Sequence, residues 1–479
     1  MTDSFPKKWY IFGVVALGVF MSTLDSSIVN VALPHVMEDL GTQLQVIQWV
    51  VLMYLLTVSS LLLTFGRLSD IRGRRLVYCA GFLTFTLGSL CCGISREPLF
   101  LILSRGVQGC GASMLMACSP ALVVDAFPPA ERGKALGLVG TVVASGLTTG
   151  PVIGGLILDH LSWRYIFFIN IPIGLAATLA GAAIMKGTPA DTGIKEPLDT
   201  LGSLFLILTL GGFLVFMTHI NQWPLDSPFM LISAVLCLAS GVGFVRTELT
   251  SPFPLIDPGL MRIRLFVFPV LAAALMFASL FTIVFLMPFY LTHPMGLSAS
   301  ATGVVMITPF LVQFFLSPVT GSLYNRTGSR ILCTLGMVLM ACALFSFTML
   351  KARVPVASII WRLAMAGFGT ALFIPPNSAA AMTSIPARRR GIASGAVALV
   401  RNFGMVFGVA LAGLVFDTTF SRLNSGQTFT HYTPEMAGPF MTALGAAMSA
   451  GALLAFLGVV VSWMRGPEKP DRPSSIPTQ

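Results

Sequence analysis

Three charged residues stand where a chain this apolar should not carry charge. Asp25 lies in MSTLDSSIVNVALP, Arg105 in LSRGVQGCG and Arg401 in LVRNFGMVFGVA, each inside an apolar run. A charge at the centre of a bilayer costs about 2.5–3.5 kcal/mol on insertion scales, so such groups turn toward a protein interior or a watery cavity. Asp25 is the only carboxylate well inside any apolar run on the boundaries given below. Desolvation and any nearby cation pull its charge state in opposite directions. That combination suits a group that binds and releases a proton. Gln108 follows Arg105 by one helical turn and shares its face. The alternative readings are structural. Asp25 then becomes a helix-end carboxylate bonded to backbone, and Arg105 and Arg401 become arginines that pin helices together.

Two further stretches carry unusual chemistry. In GRLSDIRGRR (66–75), Gly66 and Gly73 each permit a turn, and Asp70 and Arg74 stand i, i+4, a spacing that pairs them on a helix. Arg72 and Arg75 read as a solvated basic loop. In GLTTGPVIGG (146–155), four glycines and a proline sit inside an otherwise apolar run. Gly146, Gly150 and Gly154 are four apart and fall on one helical face, where small residues let helices approach closely. Pro151 removes one backbone bond and bends the helix. Gly155 extends the same motif.

These residues need elements to hold them, and composition says which. The 479 residues are 55% hydrophobic and only 10% charged, against roughly a quarter charged in soluble domains. Fourteen runs reach the roughly 20 apolar residues a spanning helix needs. They are about 10–33, 46–66, 76–94, 99–123, 135–158, 165–185, 199–219, 229–246, 266–291, 299–323, 331–350, 355–381, 391–416 and 440–464. With the N-terminus in the cytoplasm, 21 of the 29 Lys and Arg fall in inner loops and tails, five in outer loops and three inside spans. This is the bias of the positive-inside rule, and an even number of spans returns the C-terminus to the cytoplasm. The net charge of +10 is therefore a topology signal and leaves no cluster suited to nucleic acid. The eight cysteines all lie in apolar stretches and read as core residues.

The chain repeats itself. At an offset of 258, Gly109, Gly111, Gly133, Gly137, Gly146, Gly150 and Gly155 fall on Gly367, Gly369, Gly391, Gly395, Gly404, Gly408 and Gly413. Spans 4 and 5 thus match spans 12 and 13. Eight spans separate the copies, so the copies point the same way, as in a parallel repeat about the membrane normal. Six spans per half plus an inserted pair make fourteen. The expected division is 1–190 for the N-terminal bundle, 191–260 for the inserted pair and its linkers, 261–466 for the C-terminal bundle and 467–479 for a cytoplasmic tail.

In sequence these motifs resemble the major facilitator superfamily, and within it the fourteen-span drug:proton antiporter-2 family. Gly66-x-x-x-Asp70-x-x-Gly73-Arg74-Arg75 resembles the signature loop. SRGVQGCGAS resembles the span-four motif through Arg105, Gln108, Gly109 and Gly111. Gly146-x-x-x-Gly150-Pro151-x-x-Gly154-Gly155 resembles the antiporter motif of span five. LDSSIVNVALP resembles the span-one motif through Asp25, Asn30, Ala32 and Pro34, and WRYIFFINIPIG is similar to a stretch usual in that family. The second copy of the signature loop, GSLYNRTGSR, lacks the Asp, and Val409 stands where the second antiporter-like stretch would have proline. The halves are then not equivalent.

The resemblance implies an all-α integral membrane protein of the major facilitator fold: two six-helix bundles with two inserted transmembrane helices. It implies a multi-pass protein of the inner (plasma) membrane with both termini cytoplasmic. The expected activity is proton-coupled export of lipophilic drugs or toxic small molecules by alternating access. Asp25, Arg105, Gln108 and Arg401 are the expected coupling and transport residues. Asp70, Arg74 and Asp125, with Gly66 and Gly73, are the expected inner latch, which holds the outward-open state. No cofactor or metal is expected, since the proton gradient drives the cycle. The expected partners are small-molecule substrate, protons and the bilayer, with nothing to specify a periplasmic or outer-membrane protein. The absence of a second carboxylate deep in spans 9 to 14 argues against doubly charged cations, and a cavity-facing Arg401 would favour anionic or zwitterionic cargo. The chief alternative is an exporter of one metabolite (a sugar, an amino-acid derivative or a siderophore) on the same fold. An enzyme is disfavoured. The five histidines show no metal-ligand spacing, and no phosphate-binding loop appears.

Overall fold

The computed structural model describes residues 4–129, 131–185, 199–220, 223–224, 226–251, 258–385 and 390–466. The proposed tail 467–479, the link around Lys186 and Lys195, and Arg388 and Arg389 lie outside the described residues. Fourteen helices are long and apolar enough to cross a bilayer, one for each predicted run. No strand occurs among the described residues. Hydrocarbon offers the backbone no partner, so each crossing satisfies its own hydrogen bonds as a helix.

The spans of the first half are Ser4–Asp39, Leu44–Arg72, Arg74–Gly93, Pro98–Ala126, Arg132–His160 and the pair Tyr165–Phe168 with Asn170–Ile184. Spans 7 and 8 are Thr200–His219 and Pro228–Thr250. The second half has Arg264–Thr292, the pair Ala299–Met306 with Thr308–Thr327, Ser329–Phe347, Val356–Thr383, Arg390–Leu423 and Ala437–Met464. Spans 6 and 10 break at Ile169 and Ile307, two or three residues before Pro172 and Pro309, which cannot donate to the preceding turn. Below, the basic face is the one that carries Arg72, Arg74 and Arg132, and the opposite face carries Glu38, Asp39 and Asp159.

Most helices outrun their apolar runs, and two readings change as a result. Span 2 continues to Arg72, so Gly66 is helical and makes no turn; the nearest atom to a Cβ there is 3.9 Å away. Only Gly73 turns the chain, at φ 96°, a conformation that costs glycine little. Gly328 at φ 73° does the same between spans 10 and 11. Span 13 continues to Leu423, which brings Asp417 inside it, 2% exposed. Asp25 is thus not the sole carboxylate inside a span, and spans 9 to 14 do hold one.

The offset repeat reappears as repeated contacts. Gly111 seats span 4 on span 3 at Gly81 and Phe85, and Gly369 seats span 12 on span 11 at Gly336. Gly109 meets Tyr54 of span 2, and Gly367 meets Val312 of span 10. Gly146 and Gly150 meet Thr23 and Ser27 of span 1, while Gly404 and Gly408 meet Ala274 and Ala278 of span 9. The last pair crosses between halves: Gly155 takes the start of span 10, and Gly413 takes Gln48 of span 2. Span 7 shares a hydrogen bond with span 2 (between the Ser203 and Thr64 hydroxyls, 2.6 Å), and its Phe213 stacks on Phe407 and lies tilted against Phe403 of span 13, so it touches both halves.

The halves are closed on the opposite face. Asp159 accepts the amides of Ala299 (2.9 Å) and Ser300 (3.1 Å) at the start of span 10, where the helix dipole favours an anion. Glu38 meets His293 at 3.5 Å, and Leu44 N–H donates to Phe429 O at 3.2 Å. Toward the basic face span 5 is free on one side: a Cβ at Gly133, Gly137 or Gly140 meets nothing within 4 Å.

The seam is a close backbone approach, so it should be intolerant of one methyl group. A Cβ at Gly155 would lie 2.4 Å from the Ala299 carbonyl oxygen. Gly155→Ala is expected to cost about 1–3 kcal/mol through overpacking and to lower the melting temperature of the purified protein. Gly137→Ala, with open space around it, should leave melting unchanged or raise it slightly. Equal melting of the two variants would refute the tight seam.

Candidate functional site

Asp25 and Arg105 come together. Arg105 Nη1 donates to Asp25 Oδ2 at 2.5 Å, and the two side chains are 1% and 0% exposed. The same Nη1 donates to Gln108 Oε1 at 2.6 Å, and Arg105 Nε donates to the Val50 carbonyl at 3.0 Å. Gln108 Nε2 donates to Asp25 Oδ1 at 2.7 Å and to Ser89 Oγ at 2.8 Å. Asn170 Nδ2 reaches Asp25 Oδ1 at 3.5 Å. The guanidinium lies 4.2 Å from the ring centre of Tyr54, whose hydroxyl donates to Ser22 O. Spans 1, 2, 3, 4 and 6 therefore each contribute to one buried network. Arg105 spans it because its planar fork offers donors in several directions at once.

Both carboxylate oxygens are satisfied, so Asp25 sits here as a paired anion. A pair this deep is held by geometry: its desolvation is costly, and removal of one partner strands the other. The cluster is interior, not open to a cavity. Arg401 does not join it. It is half-buried on span 13 with its guanidinium 5.8 Å from the ring centre of Phe277, and it makes no ion pair among the described residues.

The signature loop also assembles. Arg74 donates to Asp70 Oδ1 through Nε (3.1 Å) and Nη2 (3.0 Å), and to Asp125 Oδ2 through Nη1 at 2.5 Å. It thereby ties the basic-face ends of spans 2, 3 and 4. These pairs are intact while the opposite face is closed, so their formation alone does not open that face. Arg75 is not merely solvated: it donates to Ala182 O at 2.7 Å and caps span 6. In span 5, Cβ atoms at Gly146, Gly150 and Gly154 would lie 2.1, 1.9 and 2.7 Å from Thr23 Oγ1, Ser27 Oγ and Ile28 Cγ1. The glycine face therefore lies against span 1, and Ser27 Oγ donates across it to Gly146 O at 3.2 Å. The helix runs unbroken through Pro151, whose carbonyl lies where a Cβ of Gly303 would fall.

Several members were not singled out from sequence. Asn170 is the one amide in the apolar stretch WRYIFFINIPIG, which was signal enough. Ser89 carried none. Arg465, read as a loop residue, is 1% exposed and donates to Ser329 Oγ (2.8 Å) and Asn377 Oδ1 (2.8 Å). It joins spans 11, 12 and 14 where the second signature loop lacks its Asp.

Fourteen spans in two like bundles, one of them built around a buried ion pair, are the architecture of a membrane transport protein. The chain belongs to the Major Facilitator Superfamily, as one of its fourteen-span members: the model of that family matches residues 15–409 and 269–478. It is 32% identical over 467 residues to the riboflavin transporter RibZ of Clostridioides difficile, covering 97% of this chain and 99% of that one. It is 32% identical over 410 residues to the multidrug resistance protein Stp of Mycobacterium tuberculosis, covering 85% of this chain and 75% of that one. A bacterial homolog to the human lysosomal transporter Spinster, solved inward-facing and unoccupied, shares the fold with a TM-score of 0.69 at 13% identity, over 96% of this chain and 97% of that one.

The pairing of Asp25 with Arg105 has a thermodynamic signature. Arg105→Met strands Asp25 and is expected to cost about 3–5 kcal/mol. Asp25→Asn with Arg105→Met should recover part of that loss, which a double-mutant cycle on thermal unfolding measures. Strict additivity would mean the two side chains are not coupled.

Proposed function

We propose that the protein is a proton-coupled exporter of lipophilic small molecules, set in the inner membrane with its basic face and both termini in the cytoplasm. The observation that carries this reading is the buried Asp25–Arg105 pair. A proton on Asp25 neutralises one partner and leaves Arg105 charged in a dry interior. Loss of one partner of such a pair costs about 3–5 kcal/mol. A switch of a two-state equilibrium from 1:99 to 99:1 takes about 5.5 kcal/mol. One proton therefore supplies most of a conformational switch. Arg105 must then find other acceptors, and Gln108 Oε1 and Val50 O already touch it.

Span 1 transmits the change. Asp25 faces the cluster, while Thr23 and Ser27, two residues to either side, face the glycines of span 5. A shift of span 1 at Asp25 is felt at once along that seam. Protonation favours one state and cargo the other, so the gradient drives export. The cargo reading rests on the named multidrug relative and on the Met- and Phe-rich composition, 24 and 36 residues, which offers soft apolar walls. A second reading is a carrier of one metabolite, favoured by the near end-to-end match to a riboflavin transporter. Arg74, Asp70 and Asp125, with the turn at Gly73, serve as the cytoplasmic brace of the moving half.

Purified protein in liposomes with an imposed pH gradient and an interior pH dye tests this reading. Lipophilic cations, neutral drugs, anionic metabolites and riboflavin are added in turn. Substrate-dependent proton movement is expected in the wild type and should fall to background in Asp25→Asn. Movement that survives Asp25→Asn would place the coupling elsewhere, and a response to riboflavin alone would favour the single-cargo reading. A brace of exposed ion pairs contributes only about 0–1 kcal/mol to stability. Asp70→Asn should therefore leave expression and melting intact while it slows transport, and unchanged transport would remove the brace from the mechanism.

A further inference from the structure

A second polar seat lies away from the Asp25 cluster, at the opposite-face end of the seam between the halves. Asp417 of span 13 and Gln45 and Gln48 of span 2 are 2%, 7% and 1% exposed. Gln45 Nε2 donates to Asp417 Oδ2. Asp417 Oδ1, Gln45 Oε1 and Gln48 Oε1 are buried without a hydrogen-bond partner. Gln48 Oε1 fills the notch left by Gly413, one turn before Asp417, where a Cβ would lie 2.0 Å away. Three stranded oxygens thus share one buried stretch of the seam, where Gln45 Nε2 is the one amide seen to donate to the carboxyl.

Among the described residues no cation answers the carboxyl. The elements around span 13 bring His219 (span 7), His293 (just past span 9), Arg362 (span 12), Glu435 (ahead of span 14) and Arg422 (span 13 itself) to this face, and none makes a hydrogen bond or ion pair with Asp417. His219 bonds Thr218 and stacks on Trp223, His293 meets Glu38, and Arg362 bonds Ser346 and Ser358. An ionised carboxylate with one neutral donor is costly in such a place, and a buried acceptor left unmade is costly as well. A hydrogen on the carboxyl removes both penalties. A metal ion of the calcium type would want 6–8 oxygens, whereas a proton needs one acceptor.

We propose that Asp417 is a proton-binding site of the seam. When the halves close on the opposite face, the carboxyl takes one proton from water and gives it as a hydrogen bond to one of the unpartnered amide oxygens beside it, that of Gln45 or of Gln48. When spans 2 and 13 part, water takes the proton back. The proton enters and leaves by the same face, so it is not carried across. It sets how readily that face closes. This goes beyond the export reading and does not depend on what Asp25 does.

The closed seam binds a proton that the open seam does not, so acid favours closure, by up to about tenfold in the closed-to-open ratio per pH unit. His293 acts in the opposite sense. Burial, and after it the neighbouring His35 and His431, push its imidazole down to about 4 from 6.5. Its contribution to closure is complete above about 6.5 and is lost as pH falls through about 4. The test therefore uses His293→Gln throughout.

Full-length protein is placed in lipid nanodiscs with its native cysteines replaced and spin labels at Leu161→Cys and Gln427→Cys, one on each half at the opposite face. The distance between the labels is followed against pH. The closed population should rise with acid. In Asp417→Asn it should be high at every pH. In Gln45→Leu, which removes the donor to the ionised carboxyl, the transition should move to higher pH. Asp25→Asn should leave the titration in place, which separates this site from the coupling reading. A titration that survives Asp417→Asn, or one that added sodium reproduces at fixed pH, would overturn the proposal. Should Asp417→Asn fail to fold, an unshifted Gln45→Leu would overturn it as well.

Discussion

An unpaired charge is the costliest thing a helix can carry into a bilayer, and the N-terminal half is organised around the avoidance of one. Asp25 and Arg105 pay for each other only because neighbouring spans complete their hydrogen bonds: Val50 O from span 2, Ser89 through Gln108, and Asn170 from span 6. Span 5 contributes nothing to this network. It is therefore free to meet span 1 through glycine, with Gly146 and Gly150 set against Thr23 and Ser27. One helix thus has a charged side that is fixed by many bonds and a flat side that is fixed by few. Movement is cheap along the second and costly along the first.

The two halves share a scaffold and divide the chemistry. The glycine contacts recur at the same offset in both, from Gly109 and Gly367 to Gly155 and Gly413. The ion pairs do not recur. Where the first half braces spans 2, 3 and 4 with Arg74, Asp70 and Asp125, the second braces spans 11, 12 and 14 with Arg465 on neutral partners. An arginine held by Ser329 and Asn377 has no partner that a proton could neutralise in the physiological range. The carboxylate–guanidinium pairs that brace the first half are thus replaced in the second by an arginine on neutral partners.

The spans, the repeat and the presence of Asp25 and Arg105 inside spans were legible in the chain because each has a one-dimensional trace, whereas their direct contact was not. Apolar length, glycine spacing and misplaced charge can all be read without coordinates. Helix ends could not. Hydropathy reports the length that lipid solvates, whereas the helices run on through the polar interface, as span 2 does past Gly66 and span 13 does past Phe416. That difference of a few residues hid Asp417 and turned Gly66 from a helical residue into an expected turn. Ser89 and Arg465 were hidden for another reason. Their roles come from partners on other spans, and nothing in their own neighbourhoods marks them.

The closure on the opposite face adds backbone approaches and short polar contacts to the apolar core that the halves share. Gly155 against Ala299 O, Asp159 on the amides that open span 10, and Gln48 in the notch of Gly413 all need the halves within a few tenths of an ångström. Such contacts do not weaken gradually. A gap of 0.5–1 Å already forfeits a quarter to a half of the dispersion well, and a separated Asp159 regains water in place of the amides. The seam is then either made or broken, with little stable ground between. Packed elements that admit two arrangements and not a continuum are what convert a local change of charge into a movement of whole bundles. Two buried acids stand on either side of it: Asp25 inside one half, and Asp417 on the seam between the halves.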